Sequence, residues 1–301
     1  MAKTPNSTGA MALSDPALST ESALRASELR DADALVREAG WNQIAADWNI
    51  FRKLGSAYAV RNSDGRVIAT AATLPHGGRF AWISMVLVNA EYRRQGLATR
   101  LLRRCIDDLT AAGLVPVLDA TPDGREVYRG LGFQDSWGYH RLASPGPAHD
   151  LHPVEPVGIE IHPIDDAAWN SICAYDAIAF GTSRADMLSM LRGRLPQAEL
   201  YATRNGKITG LLMGRDGQRA QHLGPLIAED DASAIALLQR GLAGLDAPVS
   251  IDLADAKGAA RAWLEARNFS AQRPLARMLL NRSERFDDPM RTFAVVGPEF
   301  G

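Results

Sequence analysis

Cysteine is scarce in this chain. Two thiols, Cys105 and Cys173, occur in 301 residues, and both fall in helical, mostly apolar contexts. This excludes a disulfide-stapled scaffold and fits a reducing compartment, and neither thiol has a nearby His in a nucleophile pattern. A dominant charge is also missing. The formal net charge is −2, so no nucleic-acid-binding field is expected. No apolar run reaches the length of a membrane span. Residues 1–21 are rich in Ala, Ser, Thr and Pro but lack the basic start and apolar centre of a secretion signal, so they read as the flexible leader of a cytoplasmic protein. His149 and His152 lie in a Pro-rich stretch without further ligands, and no metal is expected.

What is present is concentrated between Met85 and Thr99. The strand-like run Ile83 to Val88 ends in a short polar turn. Arg93, Arg94, Gln95, Gly96, Leu97, Ala98 and Thr99 then open an amphipathic helix. Its Leu97, Leu101, Leu102, Cys105, Ile106 and Leu109 recur at helical spacing. The first N–H groups of a helix have no internal partner and together carry roughly half a positive charge. Gly96 has no Cβ to hold a phosphate away, Ala98 keeps the next turn small, and Arg93 and Arg94 add forked donors. Strand, loop and helix start in that order make a pyrophosphate cradle. No Lys-Ser or Lys-Thr follows the Gly, so this is not a P-loop, and a single Gly fails the dinucleotide fingerprint.

The pattern Arg93-x-x-Gly96-x-Ala98 after an apolar strand resembles the coenzyme A loop of the GNAT N-acetyltransferase superfamily. Downstream, Tyr128-Arg129-Gly130-Leu131-Gly132-Phe133 resembles the Tyr-x-x-x-Gly-Phe signature that closes such domains. Ala39-Gly40-Trp41-Asn42, Asp47-Trp48 and Leu118-Asp119-Ala120-Thr121-Pro122 resemble segments of one bacterial subgroup. The resemblance covers about residues 22 to 143. It implies an α/β (α+β) fold: a mixed, mostly antiparallel sheet flanked by helices, with a central strand pair that splays apart. It also implies acetyl-CoA as co-substrate, held by Val86, Leu87 and Val88 at the strand end, by residues 93–99, and by Thr121. Many GNAT domains carry Asn seven residues ahead of the Tyr, where this chain has Thr121. Its hydroxyl can bond the pantetheine arm or cap the helix.

Acetyl transfer to an amine needs a polarised thioester carbonyl, a neutral amine, and a proton for the departing thiolate. A free backbone N–H near Leu87 or Val88, inferred from family geometry, would serve the first need. Tyr128 is the candidate acid; a packed core aromatic is the alternative. A phenol of pKa about 10 stays protonated while a thiol of about 8.5 leaves fairly easily, so the acid helps modestly. Asp119 is the candidate base, directly or through water, with capping of the following turn as the alternative. A lysine-like amine is neutral about one part in a thousand near pH 7.4, so a base is required for some acceptors only. Trp41, Trp82 and Ser84 are candidates for the acceptor side.

The Pro-rich stretch 144–157 reads as a linker, and the chain then repeats itself. Tyr58-Ala59-Val60-Arg61-Asn62 is echoed by Tyr201-Ala202-Thr203-Arg204-Asn205, and Leu131-Gly132-Phe133 by Arg267-Asn268-Phe269. Residues 158–282 therefore read as a second, degenerate GNAT-like domain. Residues 283–301 read as a tail forming a final strand or an ordered arm. The second cradle position reads Ala228-Glu229-Asp230-Asp231-Ala232-Ser233-Ala234, with neither Gly nor Arg. Each carboxylate would disfavour a pyrophosphate by roughly 2–3 kcal/mol at ~6 Å and an effective dielectric near 20, against a helix-end attraction of at most ~2 kcal/mol. This half is expected not to bind coenzyme A. Arg184 and His222 could contact substrate, or be a loop Arg and an ordinary strand His. The expected activity is direct acetyl transfer to a small-molecule amine by a monomer or homodimer. The alternatives are another acyl-CoA or an oxygen acceptor, or a coenzyme-binding sensor or scaffold without turnover.

Overall fold

The computed structural model describes residues 18–146 and 157–301. The first half runs β1 (Ser22–Ala23), α1 (Leu29–Glu38), α2 (Ala45–Leu54), β2 (Ser56–Arg61), β3 (Val67–His76), β4 (Phe80–Val88), α3 (Leu97–Ala111), β5 (Val115–Ala120), α4 (Pro122–Arg129) and β6 (Phe133–Ser144). The second runs β7 (Glu160–Pro163), α5 (Asp166–Phe180), α6 (Ala185–Leu191), β8 (Leu200–Arg204), β9 (Lys207–Arg215), β10 (Gln221–Ala228), α7 (Asp231–Leu242), β11 (Val249–Ala254), α8 (Gly258–Glu265), β12 (Ser270–Leu280) and β13 (Thr292–Ala294). Strand β3 is buried along nearly its whole length because helices cover both faces of the sheet. On one face α3 lays Leu97, Leu101, Leu102, Cys105 and Leu109 against Ile83, Leu118 and Met278. On the other, Trp48 and Phe51 of α2 join Leu74, Trp82 and Val117. Among the described residues, no helix is long and apolar enough to cross a membrane.

Among the described residues, the thirteen strands belong to one sheet, ordered β1-β2-β3-β4-β5-β12-β6-β11-β13-β10-β9-β8-β7. The two halves repeat the same order of elements, yet they exchange their last long strands. Strand β12 of the second half lies between β5 and β6, and β6 in turn pairs with β11. Neither 22–143 nor 158–282 completes its own sheet. Two buried ion pairs fasten the exchange. Arg277 of β12 is opposite Asp119 of β5 and forks onto it at 2.9 and 2.9 Å. Arg141 of β6 is opposite Asp252 of β11 and forks onto it at 2.8 and 2.6 Å.

The expected splay is present. Parallel pairing of β4 with β5 runs from Phe80↔Val115 to Trp82↔Val117 and stops, so β4 continues past β5 unpaired on that side from Ile83 to Val88. In the second half the corresponding pairing of β10 with β11 stops at Leu223↔Ile251. There β13 enters the gap, pairing Ala294 with both Leu226 and Leu253. The expected tail is therefore both a strand and an ordered arm. The end of the expected leader is tied down: Ser19 N donates to Arg61 O at 3.0 Å, and Arg100 pairs with Glu21. The rest of the leader, His149, His152 and most of the linker lie outside the described residues.

Candidate active site

The open end of β4 leads directly into the cradle. A β-bulge interrupts its pairing with β3, with Met85 at φ 52° and its carbonyl accepting from Thr70 Oγ1 at 2.9 Å. Such bulges re-aim the strand that follows. The chain then turns through Arg94 (φ 61°) and Gly96 (φ 79°) into α3. Gly96 is needed here for its positive φ, and a Cβ on it would point into open space. Among the described residues no side chain caps α3, and its first backbone bond is Arg100 N to Gly96 O at 2.9 Å. The amides of Leu97, Ala98 and Thr99 are thus left for a ligand.

A cleft of about 430 Å³ opens at this point. Val86, Leu87, Val88, Arg93, Arg94, Gly96, Leu97, Ala98 and Thr99 line it, together with Ala39, Tyr92 and Val127. Gln95 is exposed outside this lining. Thr121 is outside it too: its hydroxyl caps α4, accepting from Gly124 N at 3.4 Å. Sequence reasoning missed Val127 as a wall, although it precedes Tyr128 and is an exposed large apolar residue, 55% accessible. Arg93 spends part of its charge locally, bonding Val88 O at 3.2 Å and meeting Glu38 at 3.4 Å. Arg94 has no ion-pair partner among the described residues.

The second half keeps an irregularity in the pairing of β10 with β9, between Leu223 and Leu226, but differs at the helix start and at the strand gap. Helix α7 is capped by its own Asp230, which accepts from Ser233 N at 2.8 Å and pairs with Arg204. The strand gap that would face a pantetheine arm is filled by β13.

Tyr128 stands on α4 with its ring edge toward Phe133, centroids 6.2 Å apart. Burial pushes its phenol above the ordinary range, so the proton stays on. Asp119 is corrected from base to anchor. It is fully buried at the side chain, both oxygens are bound by Arg277, and one also accepts from Trp82 Nε1 at 3.1 Å. Sequence reasoning missed Arg277 because its partner strand belongs to the other half. Ser84 is buried just before the bulge, and its hydroxyl has no hydrogen-bond partner among the described residues.

The remaining acceptor candidates are packed away from the cleft. Trp41 is half-buried against a core to which both halves contribute. Trp82 is fully buried, stacked on Phe180 and covered by Gly301, where a Cβ would lie 2.7 Å from the indole. Arg184 forks onto Asp176 at 2.9 and 2.9 Å and donates to Gly301 O at 2.7 Å. Nearby, His76 Nε2 lies 3.1 Å from Phe300 O, and Phe300 stacks on Phe51. His222 belongs to the second half's sheet, with Nδ1 3.0 Å from Ser250 Oγ and Nε2 3.7 Å from Asp252. Burial pushes both His76 and His222 down to about 3, so both are neutral. Neither Arg184 nor His222 lines the cleft at the start of α3.

A splayed central strand pair above an uncapped helix start, followed by a Tyr-bearing helix and a Gly-Phe strand entry, defines an acyl-coenzyme A transferase fold. Residues 23–133 match the model described as Acetyltransferase (GNAT) family, and residues 172–294 the one described as Acetyltransferase (GNAT) domain. The chain belongs to the GNAT superfamily, carries two GNAT domains in tandem, and is an acyltransferase. It is 25% identical over 224 residues to the uncharacterized N-acetyltransferase YitH of Bacillus subtilis, across 73% of this chain and 76% of that one. Its fold resembles a putative acetyltransferase from Pyrococcus horikoshii (TM-score 0.75, 17% identity, 96% and 98% of the two chains). It also resembles a tandem GNAT protein from the clavulanic acid biosynthesis pathway (TM-score 0.61, 15% identity, 87% and 98%).

Proposed function

We propose that the first half binds acetyl-CoA and transfers its acetyl group to a small-molecule amine in a ternary complex. The observation that carries this reading is the contrast between the two helix starts: α3 has bare amides beside an open strand gap, while α7 is capped and its gap filled. The diphosphate would sit on the amides of Leu97, Ala98 and Thr99 beside Arg94, and the pantetheine arm would run along Val86 to Val88. The amine nitrogen attacks the thioester carbon, the C–S bond breaks, the nitrogen sheds a proton to water, and the departing sulfur receives one from water or from Tyr128, which solvent then reprotonates. Backbone N–H groups at the unpaired end of β4 would polarise the carbonyl. Asp119 and Arg277 position β5 and β12 rather than moving protons. The second half would not bind the coenzyme and serves as the partner that completes the sheet.

Ala98→Glu tests this directly. The substitution copies the acidic start of α7. A carboxylate in the first helical turn leaves folding unharmed or slightly improved. Against a diphosphate ~6 Å away it should weaken acetyl-CoA binding about 100-fold, which calorimetry would read. Unchanged affinity in a folded Ala98→Glu protein would refute the cradle.

A further inference from the structure

A second cavity, of about 430 Å³, lies where the two halves meet. Gly40 and Asn42 reach it from the α1–α2 loop, Arg219 from the β9–β10 loop, Arg141 from β6, and Gln272 and Arg273 from β12. Three guanidinium groups line it and no carboxylate does. Arg141 is neutralised by Asp252. Arg219 donates to Gly40 O at 3.0 Å, and no carboxylate pairs with it among the described residues. Arg273 is directly opposite Arg141 in the sheet, has no ion-pair partner among the described residues, and buries its Nε without an acceptor. Burial first, then the neighbouring Arg141, hold its guanidinium below the ordinary range. Buried donors and charges are normally matched, so this wall lacks an anion.

The cavity adjoins the coenzyme cleft. Ala39 lines the cleft and the next residue, Gly40, lines this cavity, so one loop separates the two. Pairing of β5 with β12 ends at Ala120↔Ala276. Arg273 lies three residues further along β12, about 10 Å at ~3.3 Å per residue. Meanwhile the Trp82 side is closed by Phe300 and Gly301.

Resting on the acetyl-transfer reading above, we propose that the acceptor is an amine bearing an anionic group, a carboxylate or a phosphate, which docks on Arg273 and Arg219. The anion forms charge-assisted bonds with the two guanidiniums, and the amine at the far end of the molecule points toward the thioester. Arg273 sets the distance from anion to amine, so specificity is for spacing as well as charge.

Matched acceptors test this in the full chain, with initial thiol release from acetyl-CoA as readout. One pair is 6-aminohexanoate and 6-aminohexanamide; the other is 6-aminohexyl phosphate and 6-aminohexanol. The charged member of at least one pair should show a KM about 10-fold or more below its neutral twin, as a charge-assisted bond allows. Which pair shows the larger gap identifies carboxylate or phosphate. Arg273→Gln and Arg219→Gln should each shrink that gap, with acetyl-CoA affinity by calorimetry as the check on folding. Equal KM values within both pairs, or a gap unaltered in both variants, would overturn the proposal. If no amine releases thiol, the acetyl-transfer reading fails, and the anion site is judged separately from thermal shifts with inorganic phosphate and with succinate at fixed ionic strength. A stabilisation that disappears in Arg273→Gln would uphold the site; no stabilisation by either anion would reject it.

Discussion

Tyr128 and the two buried histidines show how burial sets protonation in this molecule. The Tyr128 phenol is raised by burial, so it holds its proton at every physiological pH. Tyr128→Phe should lower kcat about 10- to 1000-fold, because acid assistance to a good leaving thiol is modest. Acetyl-CoA affinity should hardly change, and single-turnover kinetics would separate the two. An undiminished kcat would reduce Tyr128 to packing. His76 and His222 have folded values near 3, depressed below the 6.5 of the unfolded chain. Both states are neutral above pH 6.5, so nothing is lost there. Below it the unfolded chain takes up protons that the native state refuses, and stability should fall by about 1.4 kcal/mol per histidine per pH unit until about pH 3. Denaturant titrations between pH 7 and 5 would show this slope, and His76→Gln should reduce it by about half, because His222 remains. A flat profile in the parent protein would contradict the burial described for both rings.

Among the elements, α3 and its cradle were legible in the sequence because everything they need is local: a continuous apolar run, a Gly at a positive φ, apolar residues at helical spacing. The repeat of the halves was legible for the same reason. The exchange of β6 and β12 was not, because register between strands distant in sequence leaves no mark on local periodicity. Asp119 shows the cost. Its place at the end of β5 looked catalytic, and only the neighbouring strand reveals the Arg277 that binds it. Trp82 and Arg184 were misplaced likewise, since the residues that cover them, Phe300 and Gly301, lie far along the chain. Arg277→Met should destabilise the protein by about 3–5 kcal/mol, because it removes the ion-pair partner of the buried Asp119 and leaves it only the Trp82 N–H. Adding Asp119→Leu should restore much of that loss, and urea midpoints of the four proteins close the cycle. Additive losses would mean that the pair does not couple the strands.

At the scale of the whole molecule, the halves form one sheet rather than two adjoining ones. A fragment of residues 1–146 would contain the entire coenzyme cleft but not β12, leaving facing edges of β5 and β6 unpaired. It should show no cooperative thermal transition and no acetyl-CoA binding, whereas co-expression with residues 147–301 should recover both. A monodisperse fragment that melts cooperatively would show that the exchange is dispensable. The same interleaving gives the second half a structural part in the whole: it supplies Arg277, the strand that carries it, and residues that close the Trp82 side.

The position of β12 also governs how this protein is made. About 150 residues separate the end of β5 from the start of the strand that belongs beside it, roughly 8–30 s of synthesis at ~5–20 residues per second. Throughout that interval the nascent chain leaves the ribosome with a raw hydrophobic border, and trigger-factor-like holdases would find their longest engagement there. Slow codons between β6 and β12 would lengthen this vulnerable window, while fast ones would shorten it.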